Sequence, residues 1–497
     1  MSERVAVIGG GLGGLSAATL LASKGFTVTL FEKNSYTGGK AAVIEGNGYS
    51  FDAGPSLLTM PFIPQNLFER CGAKGEEYIT LRKLDIICRY FYPDGTELDA
   101  FADREKFKQE VKEKTGEPKE HLEKYLTYCE NIYKATADVF ILNDFRSAKL
   151  FLSAAGLKSL LKLPRIDPLR TVHQANSSFF TDKRLVQLFD RYATYNGSSP
   201  YLAPATLNVI PHVEYTMGAY IPEGGIRKIP EVIRQLAEER GAVIQTGVQV
   251  EEIITGGSVA NGLRINGRIE HFDKIISNAD VNYTYEKLLK NPKAGEAKRY
   301  KRMEPSGSGL VFYWGVGREF HTLEIHNILF SADYEKEFRE LFNEKKIPND
   351  PTVYVYISSK YNTSDAPAGS SNLFVMINTP YDDGRISDAE IYQAKETVLN
   401  KLQAMTGEDI RPHIRFEAIQ TPGMIQERTN SKWGSIYGVS SNSRNAAFLR
   451  QANRSSSFKN LYFCGGSAHP GGGIPLVIQS GIIAAEKVME DIGKGKK

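Results

Sequence analysis

Residues 9–14 read Gly-Gly-Gly-Leu-Gly-Gly, and within them Gly9, Gly11 and Gly14 hold the spacing Gly-x-Gly-x-x-Gly. Each glycine has a mechanical use. Gly9 makes a tight turn, Gly11 lets a pyrophosphate approach the backbone, and Gly14 lets a helix pack closely on a strand. The helix that follows offers free N–H groups and the positive end of its dipole. Glu32 lies 23 residues beyond Gly9 and can accept hydrogen bonds from ribose hydroxyls. Such a motif alone matches many ordinary loops. Here a strand, a helix, a second strand and the acid occur in register, which makes the site a nucleotide site. A second cluster, Gly465 to Gly473, precedes a helix near the C-terminus, and Thr37-Gly-Gly-Lys40 follows the second strand. Two sets of backbone donors suit FAD better than NAD. The helix from Ile474 would aim its N-terminus at the pyrimidine end of a flavin and stabilise charge on the reduced ring.

Other reactive side chains point less clearly to chemistry. His469 sits in the C-terminal turn and reads as a residue that shapes the turn more than as an acid or base. Asp144 and Arg146 read as an ion pair more than as a proton acceptor. Tyr192, Tyr195, Tyr201, Tyr215 and Tyr220 cluster within thirty residues and fit a tunnel lining or a packed core equally well. We assign no catalytic residue. From Phe145 to Arg165 the charged residues are Arg146, Lys149, Lys158, Lys162 and Arg165, with no acids. At about 100° per residue, Lys158, Lys162 and Arg165 share one arc, and Leu150, Leu157, Leu160 and Leu161 lie on another. That is the pattern of a basic amphipathic helix lying in a membrane interface.

The elements that must position these groups follow from pattern. Arg4–Ile8 is a β-branched run suited to a buried parallel strand, Leu15–Ser23 a helix and Phe26–Phe31 the next strand. A charge-rich helical region runs from about Arg104 to Lys162. Ile229–Arg240 reads as a helix, followed by strands at Ala242–Gln245 and Val248–Ile254. Later come strands at Gly309–Gly315, Val353–Ile357 and Leu373–Asn378, with helices at Tyr334–Lys345 and Asp388–Met405. The chain closes with strand Leu461–Cys464, helix Ile474–Met489 and a short polar tail, Lys494–Lys497.

Several of these segments together resemble the FAD-dependent phytoene desaturase family of carotenoid enzymes. The residues are Gly9–Gly14, Glu32, Gly38-Gly39-Lys40, Tyr49-Ser-Phe-Asp52-Ala-Gly54-Pro-Ser56, Tyr220–Gly225 and Ser277-Asn-Ala-Asp280. Asn460-Leu-Tyr-Phe-Cys-Gly-Gly-Ser-Ala-His-Pro-Gly-Gly-Gly-Ile-Pro475 is similar to that family's C-terminal flavin signature. With Gly434–Gly438 and Ser440–Arg444, this tail looks most like the 1-hydroxycarotenoid 3,4-desaturase branch. The resemblance implies FAD as cofactor and a carotenoid as substrate. It implies that Gly9, Gly11, Leu12 and Gly14 hold the pyrophosphate and Glu32 the adenosine ribose. Lys40, Ser56 and Leu57 would lie along the ADP or ribityl side. Val250 would touch adenine through its backbone, with Asn278 near it. Gly465, Gly466, Gly473, Ile474 and Pro475 would border the ribityl chain and the ring.

The expected fold is α/β: a Rossmann-like FAD-binding domain assembled from Met1–Arg70, Ala219–Tyr285 and Asn430–Lys497. Residues 71–218 and 286–429 would form an α+β substrate domain, including a helical membrane-associating region near 104–165. The chain has 497 residues, 41% of them hydrophobic, which is enough for a sizeable core. Its 61 basic and 58 acidic residues leave a net charge of +3, which argues against a nucleic-acid partner. Cys71, Cys88, Cys129 and Cys464 are far apart, which speaks against a zinc site and for a reducing compartment. The apolar start is broken by glycines, so it reads as a nucleotide motif and not as a signal peptide. No apolar run of about 18 residues predicts a membrane span. Peripheral attachment at the cytoplasmic face of a membrane, with lipid as a partner, is the expectation. The residues name no electron acceptor. Other readings are phytoene desaturation, carotenoid isomerisation, amine oxidation, or a non-enzymatic prenyl-protein carrier. The C-terminal glycine turn argues against the carrier.

Overall fold

The computed structural model of the protein describes residues 3–144, 146, 166–290, 295–407, 409–443 and 449–495. A five-stranded parallel sheet has the order Leu461–Phe463, Lys274–Ser277, Arg4–Ile8, Thr27–Glu32, Val243–Thr246. Its centre is the opening strand, in which Val5, Ala6 and Val7 are fully buried. Both faces are covered, as a parallel sheet requires. Val5 and Val7 pack among Leu15, Ile233, Ile478 and Ile482 of helices Leu12–Ser23, Lys228–Glu239 and Ile474–Gly495. Ala6 and Ile8 pack on the other side, against a three-stranded antiparallel sheet, through Val250, Ile253 and Leu263. The first and last of those helices cross closely: a Cβ added at Gly481 would lie 2.2 Å from the carbonyl of Gly13.

The second large sheet has seven strands in the order Ile414–Gln420, Ser308–Val316, Ser371–Thr379, Val353–Tyr356, His326–Leu329, Ile86–Phe91, Glu97–Phe101. It is antiparallel except where His326–Leu329 meets Ile86–Phe91. Alternation along a strand sends successive side chains to opposite faces. Leu310, Phe312 and Trp314 therefore pack outward, on Val398 and Leu402 of helix Asp388–Thr406. Val311, Tyr313 and Phe374 face inward, toward the parallel-sheet half of the molecule.

Some boundaries differ from expectation, each for a local reason. The first helix starts at Leu12, inside the glycine cluster, because Gly13 and Gly14 serve as helical close-contact residues and not as turn. The described part of the long helical region holds the α-helices Arg104–Thr115 and Lys119–Thr136, the second running into a wider turn over Ala137–Ile141. Gly116, left-handed at φ 77°, caps the first, and Pro118 precedes the second. The Tyr334 helix ends at Arg339 and continues as a wider turn over Glu340–Glu344. The last helix runs on to Gly495, into the stretch expected to be a tail. Of the stretch Phe145–Arg165 expected to meet a membrane, only Arg146 is among the described residues, and among the described residues no helix is long and apolar enough to cross a membrane.

Candidate functional site

A cavity of about 670 Å³ lies between the two sheets. At one end it is walled by Gly9, Gly11, Leu12, Glu32 and Val250. Gly9 has a φ of +95°, and its N–H donates to the carbonyl of Phe31 at 2.8 Å. Gly11 is the N-cap of the first helix, which has no side-chain cap and no acid in its first turn. Its leading N–H groups are thus left for an anion. A Cβ at Gly11 would stand 2.8 Å from Asn278 Nδ2. Gly14 does not line the cavity: a Cβ there would meet the Gly9 carbonyl at 2.1 Å, so its smallness serves helix–strand packing. Glu32 is 5% exposed, with Oε2 accepting from Gly10 N–H at 2.7 Å and Oε1 from Asn34 N–H at 2.8 Å. The carboxylate is fixed by backbone donors and keeps lone pairs for a ligand.

Asn278 links the two glycine turns. It lies under the glycine turn, donating to the Gly9 carbonyl at 3.3 Å, and lines the same cavity as Val250. A Cβ at Gly13 or Gly465 would fall 2.7 or 2.6 Å from its Oδ1. This amide joins the N-terminal turn to the C-terminal one. Lys40 lines the cavity, and its ammonium donates to the carbonyls of Ser435 at 3.0 Å and Ile436 at 2.5 Å. Burial pulls the Lys40 ammonium down to about 8, with Asp280 opposing the shift. Burial in turn raises the Asp280 carboxyl, and Lys40 pulls it back.

Gly465, Gly466, Gly473, Ile474 and Pro475 line the middle of the cavity. Arg450, which the sequence reading did not single out, and Tyr437, within the Gly434–Gly438 segment, hold this turn. The Arg450 guanidinium is 3% exposed and donates to the carbonyls of Tyr437 at 2.9 Å, Gly466 at 3.1 Å and Val439 at 3.0 Å. Tyr437 stands against Gly472, where a Cβ would be 2.6 Å from its ring. His469 is 2% exposed, and its Nε2 lies 2.8 Å from the carbonyl of Asn143. Burial lowers its imidazole to about 4, which suits a residue that shapes the turn. Asp144 pairs with Lys487 of the last helix at 3.3 Å, and Arg146 reaches the Arg450 carbonyl at 2.7 Å. The expected ion pair therefore forms with the C-terminal helix.

Toward the seven-stranded sheet apolar side chains join polar ones in the wall. Gly309, Val311, Ile328, Phe374 and Met376 line it from that sheet, and Leu207 and Ile210 from the other side. Ser56 and Leu57 sit where the two halves meet: Ser56 Oγ is 2.6 Å from the Tyr354 hydroxyl, and Leu57 packs against the core under the sheet. The five tyrosines divide. Tyr195 lines the cavity, Tyr192 and Tyr215 are buried beside it, Tyr201 packs on Phe338, and Tyr220 donates to the Met217 carbonyl at 3.1 Å. Sequence reasoning missed the charge among them. Arg191 lines the cavity 4.5 Å over the Tyr192 ring, with Glu214 3.8 Å away. Its position one residue before Tyr192 and four before Tyr195 was the available signal.

The geometry meets one family description. Residues 12–489 match the model of the flavin-containing amine oxidoreductases. A 1-hydroxycarotenoid 3,4-desaturase of Flavobacterium sp. (strain P99-3) is 39% identical over 98% of this chain and 99% of its own. A 4,4'-diaponeurosporene oxygenase of Staphylococcus haemolyticus (strain JCSC1435) is 36% identical over 98% of this chain and 97% of its own. In fold, the chain is similar to putrescine oxidase solved with putrescine bound, at a TM-score of 0.65, 14% identity and 99% coverage of each chain.

Proposed function

The chain belongs to the flavin-containing amine oxidoreductase family, and from that premise we propose that it introduces a C-3,4 double bond beside a 1-hydroxylated acyclic (ψ) end of a carotenoid. It is an FAD-dependent oxidoreductase of the carotenoid desaturase and oxygenase group, acting on CH–CH bonds. The cavity supports a carotenoid substrate, and the 39% identity to a 1-hydroxycarotenoid 3,4-desaturase supports the finer reading. One chamber runs from an uncapped glycine cradle to a sheet face that carries apolar side chains, as a dinucleotide and a long hydrocarbon sharing one site require.

The residues fit FAD. Gly9, Gly11 and Leu12 would cradle the pyrophosphate, Glu32 the adenosine ribose, and Val250 the adenine. Gly465, Gly466, Gly473, Ile474 and Pro475 would border the ribityl chain and ring. FAD, when bound, supplies a two-electron acceptor for the hydride that leaves one carbon, while the neighbouring carbon loses a proton. The protein's part is placement. Val311, Phe374 and Met376 hold the polyene by shape and keep water from it. The N-terminus of helix Ile474–Gly495 favours negative charge beside it.

The test is one incubation series with phytoene and with a 1-hydroxylated γ-carotene or lycopene. A new conjugated bond in the hydroxylated substrate is expected. Lycopene formed from phytoene, with the hydroxylated substrate untouched, would refute the reading. An oxygenated product without a new double bond would move the chain to the oxygenase branch. We further propose peripheral attachment to the cytoplasmic face of a membrane, supported by a lipid-soluble substrate and by the basic, leucine-rich stretch from Phe145 to Arg165. Liposome flotation should weaken with salt and when Leu157, Leu160 and Leu161 become Ser. Equal flotation of that variant would place the contact elsewhere.

A further inference from the structure

Among the described residues, the lysines and arginines on the cavity wall are Lys33, Lys40, Arg191, Arg428 and Arg450. Most of them are engaged by the protein. Lys33 donates to the Glu427 carbonyl at 2.5 Å and to Asn430 Oδ1 at 2.9 Å. Lys40 holds the carbonyls of Ser435 and Ile436, and Arg450 holds those of Tyr437, Val439 and Gly466. Arg191 donates to the Tyr90 hydroxyl at 2.8 Å, with Glu214 beside it. Arg428 differs from all of these. It is half-buried and forms no ion pair among the described residues. Its Nη2 makes one long bond, to the Ala53 carbonyl at 3.4 Å. Its Nε is closed in by protein, whereas Nη1 has no partner and keeps accessible surface. A guanidinium has five N–H donors in a fork that matches phosphate oxygens.

The place of Arg428 is set by the helix that carries it. Helix Pro422–Thr429 follows the edge strand Ile414–Gln420 and is fastened to the end of the second parallel strand. Lys33 is one tie, and Asn34 Nδ2, which donates to the Arg428 carbonyl at 3.2 Å, is another. The same Asn34 amide donates to Glu32 Oε1 at 2.7 Å, so Arg428 belongs to the nucleotide end of the cavity. It also stands near Lys40: the Arg428 charge opposes that ammonium and adds to the effect of burial in lowering it. The carboxylates at this end are held by backbone N–H groups, Glu32 by those of Gly10 and Asn34 and Asp280 by that of Asn282. Two cations kept together, one of them almost without partners, make a wall that favours an anion.

We propose that Arg428 binds the diphosphate of the dinucleotide through Nη1 and, with Lys40, neutralises its charge. This rests on the placement of FAD in the glycine cradle given above. Backbone amides at a helix N-terminus bring partial charge to an anion, and Arg428 adds a full one. Binding of the nucleotide should therefore depend on salt and on the diphosphate itself.

The experiment uses the full-length chain stripped of flavin, with FAD, ADP and adenosine as probes and Kd read by calorimetry. Arg428→Met should weaken FAD and ADP by about tenfold or more and leave adenosine unchanged. Arg428→Lys should recover part of the loss, and KCl should weaken ADP binding more steeply in the wild type than in Arg428→Met. A ratio of ADP to adenosine affinity that is the same in wild type and Arg428→Met overturns the proposal and leaves Arg428 a structural prop for Ala53. If the variants do not fold, the wild type answers alone. Phenylglyoxal modifies accessible guanidinium groups, and peptide mass spectrometry reads which ones. ADP should protect Arg428 and adenosine should not; modification at the same rate with ADP bound overturns the proposal. A wild type that binds neither FAD nor ADP refutes the cradle itself, whatever the variants do.

Discussion

The two ends of the cavity are held by different chemistry. At the nucleotide end, carboxylates are clamped by backbone amides. Glu32 accepts from Gly10 and Asp280 from Asn282. At the substrate end the buried carboxylate Glu214 is held by side chains, the hydroxyls of Tyr192 at 2.7 Å and Tyr195 at 2.8 Å. Backbone donors are fixed once the strands and helices form, and they suit a cofactor whose shape does not vary. Side-chain donors can be exchanged without altering the fold. The contrast locates invariance in the cradle and adaptability in the sheet face.

The largest break in this comparison should come from Gly11→Val. Its side chain begins 2.8 Å from Asn278 Nδ2 and fills the space proposed for the pyrophosphate. We expect purified, folded protein with almost no flavin absorbance; full flavin content would remove the cradle assignment. Gly309→Phe should do the reverse. A Cβ there already lies 3.3 Å from Met376 Sδ and 3.4 Å from Ile436, so the ring must enter the cavity or displace its wall. Flavin content should stay, while kcat/KM should fall about a hundredfold. Loss of flavin in this variant would mean that the halves are not separable.

Glu32→Ala should weaken FAD by about 1.5–3 kcal/mol, the worth of a charge-assisted hydrogen bond, read as a shift in Kd by flavin titration. The smallest effect concerns acid. Glu296 is 8% exposed; burial alone would raise its carboxyl, but donors from Tyr285, Ser456 and Ser457 outweigh that and bring it to about 2. Its folded value lies below its ordinary 4.5. The stabilisation is therefore present above about pH 4.5 and is lost as pH falls toward 2. Glu296→Gln should flatten the acid limb of a urea-midpoint profile, a change on the order of 2 kcal/mol. An identical slope in both proteins would place the acid sensitivity in other carboxylates.

The cradle was legible because its parts are local. Gly9, Gly11, Gly14 and Glu32 lie on one strand–helix–strand run, and Gly465 to Pro475 on another. The substrate wall was not. Alternation says that Val311 and Tyr313 share a face, but not that Ser308–Val316 lies beside Ser371–Thr379 or that His326 comes within reach of Ser56 through Tyr354. Those neighbours are set by strand order across segments separated by dozens to hundreds of residues. The linking contacts of Asn278 were not legible for the same reason: its Oδ1 is crowded by Gly13 and Gly465, which only the assembled sheet brings together. Arg191 went unnoticed because its partners Tyr90 and Glu214 come from different parts of the chain.

The close crossing of the first and last helices, with Gly13 against Gly481, bears on the order of synthesis. The parallel sheet takes its outer strand from Leu461–Phe463, and the cofactor's middle wall comes from the turn and helix beyond it. While the chain is still being made, the N-terminal strand–helix–strand unit can form but lacks the segment that closes it. The seven-stranded sheet, whose last strand ends at Gln420, has all its strands before that segment leaves the ribosome. The wall that the flavin would meet is therefore completed only once residues 461–475 have been made, after both of the other sheet-forming regions.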